Sequence, residues 1–342
     1  MKERTLREKI QEESNDYGEI ESIFYRRTGE ELIKEEKTKI KLSGKSASVL
    51  IPLYNDIERA QQTVNALGRQ EFNRENELEI ILIDDGSKVD ILKELNLVGH
   101  HKVIKIHCKV NQGYGIPHNI GIYFATSEVI ICLDGDMVPP PNFVTEHVLR
   151  HSIIDNILLV GFKENIALED FKKTSRDADF KKDPRYSKDT KKYGLKEKVI
   201  NIYEETAQFK RFGHNLRLHE DCLPGGWTLP EIVATHNLSI RRKNAIRIGG
   251  FDEAFSKNWG YNDTYFAARA IAEGLYIVPC ISAPCFHIDH PPRNCANDEE
   301  RRKGLEKNKE KYQKKIEERY IPFSEKRFMK SIEKYLRVIE IK

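Results

Sequence analysis

Four short runs of apolar and largely β-branched residues stand out from an otherwise polar chain, and helical or polar stretches separate them. The runs lie at 47–53 (ASVLIPL), 79–83 (EIILI), 103–107 and 128–133 (EVIICL). Buried strands that alternate with helical segments are typical of parallel β-α-β units. The pattern therefore predicts an α/β fold with a central sheet flanked by helices, one of them at 115–125.

Polar side chains cluster where these strands are predicted to end. Tyr54 and Asn55 follow the first run, Asp85 follows the second, and Asp134 and Asp136 follow the fourth. In sheets of this kind, ligands bind beyond the carboxyl ends of the strands. The pattern therefore predicts a ligand site at this edge of the sheet.

Asp134 and Asp136 form a pair of carboxylates separated by one glycine and followed by the prolines at 139–141. Prolines end a strand and stiffen the turn. Two carboxylates held close together repel each other unless a cation lies between them, and oxygen ligands suit Mg²⁺ or Mn²⁺. An ordinary acidic turn is the alternative, but the preceding strand and the following prolines favour a metal site that would receive a diphosphate.

Composition excludes several classes of protein. The 342 residues include 57 Lys and Arg against 54 Asp and Glu, and this formal charge of +3 disfavours a dedicated nucleic-acid binder. No apolar stretch approaches the roughly 18 residues of a spanning helix, and the N-terminus lacks the apolar region of a secretory signal. Six scattered cysteines without a CxxC pair indicate neither a zinc site nor a disulfide framework. A reduced, cytoplasmic compartment is expected.

The candidate motifs follow a recognisable order along the chain. PLYN (52–55), IDDGS (83–87), NQGYG (111–115), HNIG (118–121) and LDGDM (133–137) resemble the successive motifs of family 2 glycosyltransferases with the GT-A fold. Further on, the sequence is similar to galactosyl- and N-acetylgalactosaminyl-transferases, including the transferase domains of bacterial chondroitin-type polymerases. The segments that carry this second similarity are NLSIR (237–241), GGFDEAF (249–255), WGYND (259–263) and FHIDHP (286–291). The resemblance implies a Rossmann-like GT-A fold with a mixed central sheet.

The resemblance covers about residues 46–292 and divides the chain. We expect an N-terminal helical or mobile extension at 1–45, a nucleotide-sugar-binding half at 46–140, an acceptor half at 141–292 with an insertion at about 165–225, and a charged helical extension at 293–342. Residues 291–342 carry 16 basic and 10 acidic side chains. This excess could attract an anionic membrane surface or an acidic glycan, but a solvated charged helix that packs on the domain or mediates self-association into a homo-oligomer is the simpler interpretation.

For the donor, the resemblance implies a nucleotide sugar, most often a UDP-sugar. Pro52, Tyr54 and Asn55 would line the base and ribose pocket, and Asp85 would accept hydrogen bonds from the base. Ser87 is expected to cap the following helix.

Asn111 and the glycines up to Gly115 would form a loop that passes close to the nucleotide. The family commonly has arginine where this chain has His118. The charge that faces the donor phosphates is therefore expected to be pH-dependent or absent.

The resemblance also implies a divalent metal, Mn²⁺ or Mg²⁺. Asp136 would bind the ion, and Asp134 would contact the ion or the ribose. A late histidine would complete the site. Alignment favours His287, and the i,i+3 spacing leaves His290 as the alternative.

On the acceptor side, Asp263 is the candidate general base. It precedes a helical run at 264–275, and a carboxylate near a helix N-terminus is stabilised in its ionised form. Asn262 stands where the family usually has glutamate and can still bind an acceptor hydroxyl. The two tryptophans, Trp227 and Trp259, are candidate stacking platforms for a sugar.

The resemblance therefore implies an inverting, metal-dependent transferase that moves a hexose or N-acetylhexosamine from a UDP-sugar to a hydroxyl of a carbohydrate or another acceptor. One alternative is a nucleotidyltransferase, but the first strand is not followed by a glycine-rich phosphate loop with Lys or Arg. The other is a binding scaffold without catalysis, which is disfavoured because Asp134, Asp136, Asp263 and His287 are all present.

Overall fold

We describe the protein from a computed structural model of the 342-residue chain. The structure describes residues 4–12, 17–72, 75–97, 99, 101–183, 229–290 and 298–342. Most of the predicted insertion at 165–225 lies outside these ranges.

One mixed sheet runs through the described part of the chain. Its strands, in chain order, are β1 (Ser46–Leu53), β2 (Glu77–Asp84), β3 (Lys102–Cys108), β4 (Val129–Leu133), β5 (Met137–Val138), β6 (Ile157–Ile166), β7 (Asn237–Arg241), β8 (Tyr276–Ile288) and β9 (Ile339–Ile341). Their order across the sheet is β5-β8-β6-β7-β4-β1-β2-β3-β9. A mixed α/β architecture of this kind confirms the predicted fold class.

The four apolar runs form β1 to β4, and these strands are parallel neighbours. Successive side chains point to opposite faces of the sheet, so Val49 and Leu50 belong to different hydrophobic clusters. Both faces are therefore covered, which explains why β1, β2 and β4 are mainly apolar, whereas β3 includes Lys105 and His107 and is largely half-buried.

Helices pack on both faces of the sheet. Val64 and Val148 lie in the same cluster as Val49, whereas Ile120, Ala245 and the helix around Phe266 lie on the other face with Leu50. The α-helices span Leu6–Glu12, Gly18–Thr28, Ile57–Leu67, Ile91–Glu94, Ile116–Phe124, Phe143–Ile153, Leu168–Phe171, Arg242–Arg247, Asn262–Ala272, Asp298–Lys315 and Glu325–Leu336.

The antiparallel part of the sheet positions the later motifs. β7 lies between β4 and β6 and is antiparallel to both. β8 is parallel to β6 on one side, and on the other side it pairs with the short β5, where Met137 is opposite His287. This pairing brings the end of the chain's longest strand against the turn that carries Asp136.

Both ends of the chain pack on the central domain. The backbone N–H groups of Leu6 and Arg7 donate to the carbonyls of Glu318 and Ile316. After the two C-terminal helices, β9 adds an antiparallel strand beside β3. No helix within the described ranges is long and apolar enough to cross a membrane.

Candidate active site

The loop after β3 closes over the carboxylate of Asp85, which follows β2. The backbone N–H groups of Gln112 and Gly113 donate to the two oxygens of this carboxylate at 2.7 and 3.2 Å. The Asn111 side chain donates to the Asp85 carbonyl at 3.2 Å. Burial raises the pKa of Asp85 to about 7, although the two N–H donors act in the opposite direction. Asp85 therefore titrates in the neutral range.

The end of β1 is joined to the same region. The N–H of Asp85 donates to the carbonyl of Leu53 at 2.8 Å. Asn55 has a positive φ of 54°, and its side-chain oxygen accepts a hydrogen bond from the N–H of Lys88 at 2.8 Å. Pro52 and Tyr54 are half-buried at this strand end. The residues predicted to line the base and ribose pocket thus lie at the same edge of the sheet as Asp85.

The prediction for Ser87 is wrong. The short helix Ile91–Glu94 is capped by Asp90, whose side chain accepts from the N–H of Lys93. The hydroxyl of Ser87 instead accepts a hydrogen bond from the N–H of Asn55 at 2.9 Å. The helix begins three residues later than the motif indicated, so Ser87 is free to tie the two strand ends together.

The loop 111–115 and the helix Asn262–Ala272 meet at Gly115. This residue has a φ of +82°, and a Cβ placed there would lie 2.7 Å from Cβ of Phe251 and 2.8 Å from Nδ2 of Asn262. Only glycine fits such a conformation and such a close approach. Asn262 is buried, and its Oδ1 has no hydrogen-bond partner among the described residues. The two predicted halves of the site are therefore in direct contact.

His118 lies in the first turn of the helix Ile116–Phe124. It is buried against the ring of Phe251, with 5.0 Å between the ring centroids, and neither ring nitrogen has a hydrogen-bond partner within the described ranges. Burial lowers the pKa of His118 to about 4. The sequence left open whether His118 carries a pH-dependent charge or none. The lowered pKa favours a neutral side chain at neutral pH.

Three side chains that could ligate a metal ion come together where β8 meets the turn after β4. Asp136, His287 and His290 each offer one ligand atom, and these atoms lie within 4.8 Å of one another. Oδ2 of Asp136 is 3.0 Å from Nε2 of His290, and its Oδ1 is 3.6 Å from Nε2 of His287. Asp136 is buried, and both histidines are half-buried. The structure thus brings together the two histidines that the sequence offered as alternatives.

Asp134 does not join this cluster in the part of the chain that the structure describes, so its predicted metal role stays a prediction. It is half-buried, and its carbonyl accepts the N–H of Met137 at 3.0 Å. Gly135 between the two carboxylates is required by packing, because a Cβ there would lie 2.7 Å from a methyl group of Leu53 and 3.0 Å from the carbonyl of Pro52. The turn therefore sits directly on the end of β1.

Asp263 lies in the first turn of the helix Asn262–Ala272. Its Oδ1 accepts a hydrogen bond from the hydroxyl of Thr235 at 2.9 Å, a partner that the sequence did not suggest. Burial raises the pKa of the Cys132 thiol, and the charges of Asp134 and Asp263 raise it further. Both carboxylates therefore lie close enough to Cys132, in β4, for their charges to act on its thiol.

Of the two candidate stacking platforms, Trp227 lies outside the described residues. Trp259 is 41% exposed, and the guanidinium carbon of Arg301 lies 3.9 Å from the centroid of its ring. Arg301 belongs to the helix Asp298–Lys315 of the charged C-terminal extension. The charge pattern predicted a solvated helix that packs on the domain or mediates self-association, but it did not indicate this contact with Trp259.

Comparison with known proteins finds similarity to glycosyltransferases. Residues 48–214 match the model of the family described as glycosyl transferase family 2. An uncharacterized glycosyltransferase of Bacillus subtilis, YfnE, is 24% identical over 78% of this chain and 70% of its own length. The chondroitin synthase of Escherichia coli is 25% identical over 73% of this chain, which spans only 36% of that protein.

Solved structures share the fold. GalNAc-T7, crystallised with UDP, GalNAc and Mn²⁺, has a TM-score of 0.52 and 18% identity over 75% of this chain and 47% of its own. The mannosyltransferase PcManGT from Pyrobaculum calidifontis, in complex with GDP-Man and Mn²⁺, has a TM-score of 0.50 and 15% identity over 94% of this chain and 78% of its own. The protein is an enzyme of the glycosyltransferase class with the GT-A fold, and its residues 48–214 match the family 2 model.

Proposed function

We propose that the protein is an inverting, metal-dependent transferase that moves a hexose or N-acetylhexosamine from a UDP-sugar to an acceptor hydroxyl. The observation that carries this proposal is the cluster of Asp136, His287 and His290 at the edge of the sheet where the Asp85 loop also lies. A cation bound at this edge would offset the negative charge of the donor's diphosphate. The nearby carboxylate of Asp85 would hold the nucleotide by accepting hydrogen bonds from its base.

The three side chains fit a divalent cation. Cis ligands of an octahedral ion with bonds of roughly 2.1 Å lie about 3 Å apart, close to the 3.0 and 3.6 Å separations of Asp136 from the two histidines. One carboxylate with two imidazoles suits Mn²⁺ better than Mg²⁺, which prefers oxygen ligands. The complexes of GalNAc-T7 and PcManGT with Mn²⁺ support a divalent metal in general. When bound, the ion would neutralise charge on the departing diphosphate.

Side chains of the protein would bind the nucleotide and the acceptor and would remove the acceptor's proton. Asp85 accepts hydrogen bonds from the base, Asp134 binds the ribose, and Asn262 holds the acceptor hydroxyl. Asp263 removes the proton from that hydroxyl as its oxygen attacks the anomeric carbon. The attack comes from the face opposite the departing diphosphate, so a single displacement inverts the anomeric configuration.

The proposed donor is a UDP-hexose or a UDP-N-acetylhexosamine. The structure of GalNAc-T7 with UDP and GalNAc supports a UDP-sugar donor, whereas PcManGT is in complex with GDP-Man. The family match favours a transferase over a nucleotidyltransferase or a binding scaffold. A cytoplasmic location and self-association stay predictions.

The test is a screen of UDP-glucose, UDP-galactose, their N-acetylamino counterparts and GDP-mannose for thermal stabilisation with and without Mn²⁺. A ligand at 100 times its Kd stabilises the folded state by about 2.7 kcal/mol. We expect one UDP-sugar to raise Tm in the presence of Mn²⁺ and to be slowly hydrolysed. Asp136→Ala should lose both effects, whereas the control Asp170→Asn, an exposed carboxylate, should keep them. Stabilisation by the same sugar without metal, or by GDP-mannose alone, would contradict the proposal.

A further inference from the structure

The loop that carries Trp259 is held by the C-terminal helix Asp298–Lys315. The side-chain amide of Asn308, which is fully buried, donates to the carbonyls of Asn258 at 3.0 Å and Gly260 at 2.8 Å. It also lies 3.5 Å from the carbonyl of Phe255. One side chain of the helix thus satisfies several carbonyls of the loop, so the helix and the loop form one unit.

Two glycines let these segments approach closely. A Cβ on Gly304, inside the helix, would lie 3.2 Å from Cβ of Asn258. A Cβ on Gly260 would lie 2.4 Å from a methyl group of Leu305. Glycine inside a helix costs up to about 1 kcal/mol relative to alanine, and this close approach gives its presence a packing reason.

This packing puts Arg301 over the exposed ring of Trp259. A guanidinium over an indole is favourable, and its in-plane N–H donors remain available to an anion. Arg301 makes no ion pair within the described ranges, whereas its neighbour Lys303 pairs with Glu299 at 2.6 Å. Arg301 is half-buried, so the cation is partly shielded from water.

We propose that Arg301 and Trp259 form an acceptor subsite for a sugar that bears a negative charge, either a carboxylate or a phosphate. The indole ring presents its free surface to the apolar face of the sugar, and the guanidinium binds the anionic group. The position fits an acceptor because Trp259 is four residues before Asp263, the candidate base. This subsite rests on the proposed transferase function, and it adds that the acceptor sugar carries a negative charge.

The test measures tryptophan fluorescence with Mn²⁺ and saturating UDP present, so that the donor phosphate site is filled. The titrants are glucose, glucuronate and glucose 6-phosphate, which differ only at C6. We expect one or both of the charged sugars to bind at least about tenfold more tightly than glucose, because hydrogen bonds to charged groups are worth roughly 1.5–3 kcal/mol. Glucuronate and glucose 6-phosphate separate a carboxylate acceptor from a phosphate-bearing one.

Single substitutions show which side chain causes the preference for charged sugars. Arg301→Ala should remove the preference, Arg301→Lys should restore part of it, and the control Arg302→Ala, an exposed neighbour, should retain it. The fluorescence change should vanish in Trp259→Phe. Equal responses to the three sugars, equal losses in the Arg301 and Arg302 variants, or a signal that survives in Trp259→Phe would each overturn the subsite.

Metal-dependent hydrolysis of UDP-sugars in the same preparations separates this inference from the donor proposal. Hydrolysis that is retained in Arg301→Ala, while the preference is lost, supports the subsite and shows that the variant is folded. If the wild type hydrolyses no UDP-sugar but still prefers the charged titrants, the donor proposal fails and the subsite stands.

Discussion

Oδ2 of Asp136 lies 3.0 Å from Nε2 of His290, although the two residues are far apart in the sequence. The contact follows from the pairing of β5 with β8, in which Met137 is opposite His287 and the N–H of Ile288 donates to the carbonyl of Asp136 at 2.9 Å. Because β8 ends at Ile288, the turn beyond it carries His290 back towards the same carboxylate. One strand end therefore supplies two imidazoles to one carboxylate.

We predict that both histidines contribute to metal binding. His287→Ala and His290→Ala should each weaken Mn²⁺ binding by at least about tenfold, since changes outside the ligand sphere alone typically cost roughly 10–100-fold. Titration calorimetry with Mn²⁺ on the folded variants measures this directly, with Asp170→Asn as control. An unchanged affinity in one variant would restrict the site to the other histidine.

We predict that Asp263→Asn abolishes transfer and keeps donor binding. Asparagine preserves the shape and can still accept from Thr235, but it cannot take the proton, and loss of a general base costs roughly 10²–10⁴-fold in rate. Thr235→Val, which removes the hydroxyl 2.9 Å from Asp263, should lower kcat much less. Single-turnover transfer and calorimetric binding of UDP separate the two steps, and transfer that survives in Asp263→Asn would place the base elsewhere.

Local patterns predicted the strands well and the site only in part. β1, β2 and β4 are mainly apolar because both faces of the sheet are covered, so a short window of sequence identifies them. The choice between His287 and His290 depends on the register of β5 against β8, which is a pairing between distant segments that spacing does not encode. Asn308 and Arg301 lie in a helix whose charge pattern resembles that of a solvated one, and only its packing on the Trp259 loop gives them a role.

We predict that donor binding strengthens as pH rises through about 7, because Asp85 must be ionised to accept hydrogen bonds from the base. Below that pKa, affinity should fall by up to about tenfold per pH unit. Calorimetry with UDP-glucose and saturating Mn²⁺ at pH 6, 7 and 8 measures the trend. Asp85→Asn should bind more weakly and lose this component of the pH dependence, whereas the exposed control Glu94→Gln should follow the wild type. Parallel pH profiles for wild type and Asp85→Asn would assign the titration to another group.

Finally, buried histidines make the fold sensitive to acid. Burial lowers the pKa of His118 to about 4 and those of His147 and His151 to about 3. The unfolded chain binds protons at these side chains near pH 6.5 and the folded chain does not, so their stabilising contribution is complete above pH 6.5 and is lost as pH falls towards 4.

Asp85 acts in the opposite direction, because its raised pKa makes the folded state lose stability as pH rises from about 4 to 7. Three histidines outweigh one carboxylate, so we expect the free energy of unfolding to fall between pH 6.5 and 4. Each histidine contributes at most about 1.4 kcal/mol per pH unit. Urea denaturation from pH 7 to pH 4.5 measures how steeply the free energy of unfolding changes with pH. His118→Gln should reduce this slope by about 1.4 kcal/mol per pH unit, the contribution of one proton. A slope identical to that of the wild type would mean that His118 is protonated in the folded state.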